Sequence, residues 1–137
     1  LLIHLIAGLA PVGKEAAIII FLTLNTTRAR VDLVERLAKR AAVNPAERAC
    51  ILALTGRLSR EAPLRNRYNH CIYSFSPDGE ISETITMRIS DRKDRILMVR
   101  PEREDAAQLS DISAAIDRLR DLNRDMWRAI AEYHYPL

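Results

Sequence analysis

Hydrophobic residues recur every three to four positions along most of the chain, which is the period of helices with one buried face. Residues 1–10 predict a first helix that ends at Pro11. A long second helix is predicted over residues 14–42, interrupted in its apolar pattern by the polar residues 25–27. Because residues 16–24 are apolar on every side, we expect that half of the helix to be buried all round.

A helix start follows at residue 44. Asn44 is a good N-cap, Pro45 suits the first helical position, and Glu47 can reach back to the cap. The third helix is predicted to extend to about residue 61. Pro63 then either ends it or begins a further short helix.

The pattern changes to a period of two after residue 70. Residues 71–76 and 81–89 predict two strands, joined by the turn signal of residues 77–79, and residues 96–99 can add a third strand. A β-hairpin is therefore expected within residues 71–99.

The last helix has the clearest periodicity. Its apolar residues share one face over seven turns, and Trp127 is expected in the core beside Met126. They are Leu109, Ile112, Ile116, Leu119, Leu122, Met126, Ile130 and Tyr133. The sequence thus predicts a mainly α fold: an up-and-down bundle of four to five helices with the hairpin inserted before the last long helix, forming a single domain over residues 1–137.

Composition and charge narrow the class of partner. The 137 residues carry a net charge of +3, with ten basic and four acidic residues over 28–70 but five basic and eight acidic over 101–137. Eighteen of the 21 basic residues are arginine, whose planar fork suits phosphate and carboxylate groups. This uneven charge distribution fits two interpretations. Either a basic helix face packs against an acidic one within the protein, or the basic residues form a surface patch that faces phosphate groups.

Compartment and membrane association are inferred from cysteines and apolar runs. Cys50 and Cys71 lack metal-ligand spacing, so both are expected as reduced thiols in a cytoplasmic protein. Residues 1–27 are strongly apolar, but their longest uncharged run after Glu15 has 12 residues, whereas a membrane span needs about 20. We therefore expect no membrane association.

Three histidines are candidates for proton transfer. His4 lies in an apolar helix and is expected to be structural, and His134 is expected at the end of the last helix. His70 differs because it closes the segment Arg65-Asn66-x-x-x-His70.

This segment resembles the R-x4–6-H motif of HEPN domains (higher eukaryote and prokaryote nucleotide-binding), including the polar residue after the arginine. Arg128 and His134, with five residues between them, also match R-x4–6-H, but Ala129 follows that arginine. The resemblance implies a helical fold, a homodimer with two facing motifs in one cleft, and RNA cleavage that needs neither metal nor cofactor.

The residue types suit that chemistry. Free histidine titrates near neutral pH, so a histidine at position 70 suits taking the proton of a 2′-hydroxyl or protonating the leaving oxygen. Arg65 can neutralise charge on the phosphorane, and Asn66 can hold the phosphate or fix the imidazole tautomer. Further contacts to the RNA backbone are expected from Arg57, Arg60 and Arg67.

A structural interpretation of the same residues remains open. Arg65 can pair with Asp117 or Asp121 of the last helix, Asn66 can cap a helix, and His70 can bond a carbonyl. The sequence therefore supports two functions. One is a HEPN-type metal-independent endoribonuclease, a toxin or defence component with an antitoxin-like partner; the other is a non-catalytic dimeric interaction or nucleotide-binding module.

Overall fold

The computed structural model describes residues 1–69, 71–79, 81–86, 89–92, 94–98 and 106–137, with side chains over 1–64, 74–79, 94 and 110–137. Its helices are α1 (Leu2–Leu9), α2 (Lys14–Thr23), α3 (Thr27–Ala38), α4 (Pro45–Asn69) and α5 (Ala106–Glu132). Its strands are β1 (Cys71–Phe75), β2 (Ile81–Thr86), β3 (Ile89–Arg92) and β4 (Arg95–Met98). The described chain is mainly helical, which confirms the predicted fold class.

The chain forms two compact units. The first combines Leu1–Arg60 with Arg118–Leu137, and the second is Glu61–Asp117. α4 and α5 each contribute residues to both units. That residues 1–137 make one domain stays a prediction.

The core of the first unit is built from all five helices, with Ala17 as the buried residue of α2. Leu5 and Ile6 of α1, Val34 of α3, Ile51 of α4 and Ile130 of α5 are almost completely buried. α1 is apolar except for His4, and Leu5, Ile6, Ala7 and Leu9 are its buried residues. Leu122 and Met126 add to the core from α5, so its helical stripe is confirmed over that stretch.

The predicted second helix over residues 14–42 is wrong, because the chain breaks between α2 and α3. Leu24 has an extended backbone, with φ −84° and ψ 115°. Thr26 is the N-cap of α3, and its hydroxyl accepts a hydrogen bond of 3.1 Å from the Ala29 amide. The apolar spacing continues across the break, so periodicity alone does not reveal it.

The expectation that residues 16–24 are buried all round is also wrong. Ala17 is buried, but Ile19 and Leu22 are 60% and 64% exposed. Glu15, Ala16 and Thr23 are exposed on the same side of α2, at helical spacing from these two residues. α2 therefore exposes two large apolar side chains to solvent, beside polar ones.

The third predicted helix begins as expected and ends later. The Asn44 side chain accepts a hydrogen bond of 2.8 Å from the Ala46 amide, which confirms the cap. α4 then continues through Pro63 to Asn69, so the predicted end near residue 61 is wrong. The missing N–H of Pro63 removes one hydrogen bond without ending the helix.

Two hairpins, rather than one, lie between α4 and α5. β1 pairs antiparallel with β2, with a register shift between Ser74 and Phe75. β3 pairs antiparallel with β4 through Asp91 and Ile96. Residues 89–92, predicted partly as strand and partly as a charged turn, form β3. The predicted alternation of side chains over residues 81–89 lies outside the described side chains.

The C-terminal end of α5 closes against the first unit. His134 takes a left-handed conformation with φ 55°, and its amide donates to the carbonyl of Ala131. The Tyr135 amide donates to the carbonyl of Ile130, so the two bonds form a Schellman cap. Trp127 was predicted in the core, but it is 45% exposed, because the buried face of α5 is centred on Met126 and Ile130.

Candidate functional site

The motif residues lie at the C-terminal end of α4. Arg65, Asn66 and Arg67 are in its last turns, and the helix ends at Asn69, immediately before His70. Their three side chains, and His70 as a whole, lie outside the described residues. The structure therefore describes the helix that carries the motif but none of the motif's side-chain contacts.

The continuity of α4 changes the setting of the motif. The sequence left open a separate short helix beginning at Pro63, but Arg65 to Asn69 extend a helix that starts at Pro45. β1 begins at Cys71, one residue after His70. The motif thus spans the point at which a helix gives way to a strand.

Arg57 was predicted as an RNA contact and instead has a carboxylate partner. Its Nη1 lies 2.7 Å from Oδ2 of Asp125 on α5, and both side chains are about one-third exposed. This hydrogen bond is the main reason that the pKa of Asp125 lies below its usual range. Arg57 therefore joins α4 to α5 within the first unit. This is the contact expected if a basic helix face meets an acidic one.

Asp125 also faces two further arginines. Arg128 Nη1 lies 3.4 Å from the other carboxylate oxygen, Oδ1. The positive charge of Arg124 contributes as well to the lowered pKa of Asp125, although Arg124 itself donates to Asp121. Sequence reasoning did not find this group of charges. Its only local signal is the three-residue spacing of Asp121–Arg124 and of Asp125–Arg128 on α5.

The remaining predicted RNA contact in the first unit is Arg60, whose side chain is exposed on α4. Of the two acids suggested as partners of Arg65, Asp121 accepts a hydrogen bond from Arg124. Asp117 also has an interaction partner in the structure. Whether Arg65 pairs with either acid lies outside the described side chains.

The other two histidines have separate surroundings. His4 Nδ1 donates to the carbonyl of Pro136 over 2.7 Å, and its ring lies 5.5 Å from that of Trp127. His4 is therefore structural, as expected. His134 lines a shallow groove at the end of α5. The other lining residues are Trp127, Ile130, Ala131, Tyr135 and Leu137.

Buried polar contacts tie the C-terminal residues to α4. The Tyr135 hydroxyl donates to Oε1 of Glu47 over 2.5 Å, and burial together with this carboxylate raises the pKa of Tyr135. Burial also raises the pKa of Tyr133, to which the neighbouring Cys50 contributes. Glu47 was predicted to reach back to its own helix cap, so its bond to Tyr135 corrects that expectation.

No group of three or more histidine, cysteine, aspartate or glutamate side chains in the described part of the chain is placed to hold a metal ion. Among the same residues, no single helix is long and apolar enough to cross a membrane. α1 and α2 reach that length only as a pair, bent by 119° at the break between them.

Comparison with protein-family models, with curated proteins and with solved structures found no match for this chain.

Proposed function

We propose that the protein is a metal-independent endoribonuclease of the HEPN type. One observation carries the proposal: in a mainly helical chain, Arg65 and Asn66 lie in the last turns of α4, and His70 follows in sequence before β1 begins. The residue types match the reaction. The motif begins in the last turns of α4 and ends in sequence just before β1. The function implies a cytoplasmic protein, since its RNA substrate is there.

The reaction proceeds through the 2′-hydroxyl of the RNA. A histidine accepts its proton while O2′ attacks the phosphorus, the bond from phosphorus to O5′ breaks, and O5′ takes up a proton. His70 supplies one of these proton transfers, and Arg65 neutralises the charge on the phosphorane oxygens. Asn66 holds the scissile phosphate or fixes the imidazole tautomer. The products are a 2′,3′-cyclic phosphate and a 5′-hydroxyl.

The proposal includes a homodimer. If a regular helix continued from Arg65 to position 70, five positions would turn it by about 140°, so one copy would not direct both side chains to one phosphate. A two-fold axis brings the same patch together twice and pairs the Arg65 of one protomer with the His70 of its partner. If the protein is a toxin, an antitoxin-like protein is its expected partner.

The test is cleavage of labelled single-stranded RNA in the presence of a chelator. We expect cleavage by the unaltered protein and its loss in His70→Ala and in Arg65→Ala. His134→Asn is the matched control, because it breaks the other R-x5-H match while asparagine tolerates the left-handed backbone at that position. Cleavage that persists in both motif variants, with circular dichroism showing them folded, overturns the proposal.

A second candidate function rests on the exposed face of α2. Ile19 and Leu22 are 60% and 64% exposed on α2, and large apolar side chains exposed close together are a feature of interaction sites. This favours a non-catalytic dimeric module. Such a module turns over no RNA, and it loses self-association when Ile19 and Leu22 are replaced by lysine. A protein that stays monomeric at high concentration in sedimentation excludes the dimeric module.

A further inference from the structure

We propose that Arg57, Arg124 and Arg128, here called the arginine patch, bind phosphate groups of a nucleic-acid backbone. Arg57 comes from α4, and the other two come from α5. Arg57 and Arg128 approach opposite oxygens of the Asp125 carboxylate, at 2.7 and 3.4 Å. The three arginines are thus held beside one another by residues of a single unit.

Charge in the arginine patch is not balanced. The three guanidinium groups have two carboxylate partners. Asp125 forms salt bridges with Arg57 and Arg128, and Asp121 forms one with Arg124. The hydrogen bond from Arg57, with the charges of Arg128 and Arg124, also lowers the pKa of Asp125. One positive charge therefore remains in excess, and the exposed Arg60, one turn beyond Arg57 on α4, adds another.

Donors remain for a ligand as well. A guanidinium has five N–H groups, and the bonds described here use one on each arginine of the patch. The side chain of Arg128 is 71% exposed and that of Arg124 is 59% exposed, whereas Arg57 is fixed more deeply by Asp125. When a carboxylate binds one side of a guanidinium group, the N–H groups on the other side are held in a fixed orientation. This orientation favours bidentate binding of phosphate.

A purely structural role explains less of this arrangement. One arginine and one aspartate are enough to join α4 to α5, and the Arg57–Asp125 bond does so. Arg128 adds a long, exposed contact to a carboxylate that already has its partner, and contacts of that kind contribute little to stability. The extra arginines fit a ligand that carries negative charge.

The identity of the ligand as RNA rests on the proposed function, whereas the binding does not require cleavage. The probes are a labelled 2′-O-methyl RNA, which has no free 2′-hydroxyl and so cannot be cleaved by this route, and a single-stranded DNA of the same sequence.

Binding is measured by fluorescence anisotropy at several salt concentrations. The full chain is compared with Arg124→Gln/Arg128→Gln and with a matched control, Arg28→Gln/Lys39→Gln, which removes two exposed charges at the two ends of α3. We expect the patch variant to weaken binding of both probes about tenfold and to reduce the salt slope by about 1.4, the value for two contacts to a single strand. The control variant is expected to change binding less than about twofold.

Three results overturn the proposal. They are equal losses in the two double variants, a loss confined to one of the two probes, and no binding by the unaltered chain. The ribonuclease proposal is tested separately by cleavage in His70→Ala. Whether that variant cleaves RNA does not affect the comparison of the two double variants by anisotropy.

Discussion

The ring of Tyr135 lies directly over Gly8 of α1, so closely that a Cβ at position 8 would overlap the ring atoms. Tyr135 is buried there, and its hydroxyl reaches Glu47 on α4. A residue that follows the last helix is thereby locked between the first and fourth helices. Glycine is required at position 8 by this close approach rather than by its backbone conformation.

Gly8→Ala is therefore expected to destabilise the protein. The new methyl group forces the Tyr135 ring away from α1, and overpacking of this kind costs about 2 kcal/mol in the free energy of unfolding. Urea denaturation measures the change. Gly56→Ala is the control, because a Cβ there meets nothing within 4 Å. In the middle of α4 that substitution should stabilise the protein by about 1 kcal/mol. Equal effects of the two substitutions would show that Tyr135 does not occupy this position.

Tyr135→Phe tests the contact with Glu47. It keeps the ring over Gly8 and removes a hydrogen bond to a carboxylate, so we expect a loss of about 2 kcal/mol near neutral pH. The folded state raises the pKa of Tyr135, so its contribution is present below the ordinary tyrosine value near 10 and is lost as pH rises further. Urea midpoints should fall more steeply above about pH 10 for the unaltered protein than for Tyr135→Phe. Parallel curves would contradict this expectation.

Asp125→Asn tests the opposite end of the pH scale. The folded state lowers the pKa of Asp125, mainly through its bond to Arg57. The stabilisation is therefore present above the ordinary aspartate value near 4 and is lost as pH falls below it. Between about pH 6 and about pH 2.5, the melting temperature should fall further for the unaltered protein than for Asp125→Asn. Asp111→Asn, an exposed aspartate nearer the start of α5, is the control.

Thr26→Ala tests the break between α2 and α3. Loss of the hydroxyl that accepts from the Ala29 amide should cost about 1 kcal/mol, as removal of an N-cap does. Thr27→Ala, at the next position, is expected to change the free energy of unfolding by less than about 0.5 kcal/mol. If the two substitutions are equally destabilising, residue 26 is not the cap.

Local signals in the sequence were enough for some elements. The Asn44 cap, the turn between β1 and β2 and the buried stripe of α5 around Met126 follow from neighbouring residues alone. The break at Leu24 does not, because apolar residues keep their helical spacing across it. Periodicity reports which residues face a core, and two short helices can present the same spacing as one long helix.

Contacts between distant segments could not be predicted from spacing. Arg57 meets Asp125 across 68 positions, and His4 meets Pro136 across 132. Both depend on how helices pack, so Arg57 appeared in the sequence as an isolated cation and His4 as a histidine without a partner. The catalytic assignment of Arg65, Asn66 and His70 stays a prediction, because it depends on side chains outside the described ones.

Pro63 gives α4 a built-in weak point. A 25-residue helix normally protects its amides along its whole length, but Pro63 has no N–H to donate to the carbonyl four residues before it, at Ser59. Deuterium exchange along α4 should therefore begin around this position, while the amides near Ile51 remain protected. Opening would then release the segment that carries Arg65 and Asn66 without unfolding the core around α1.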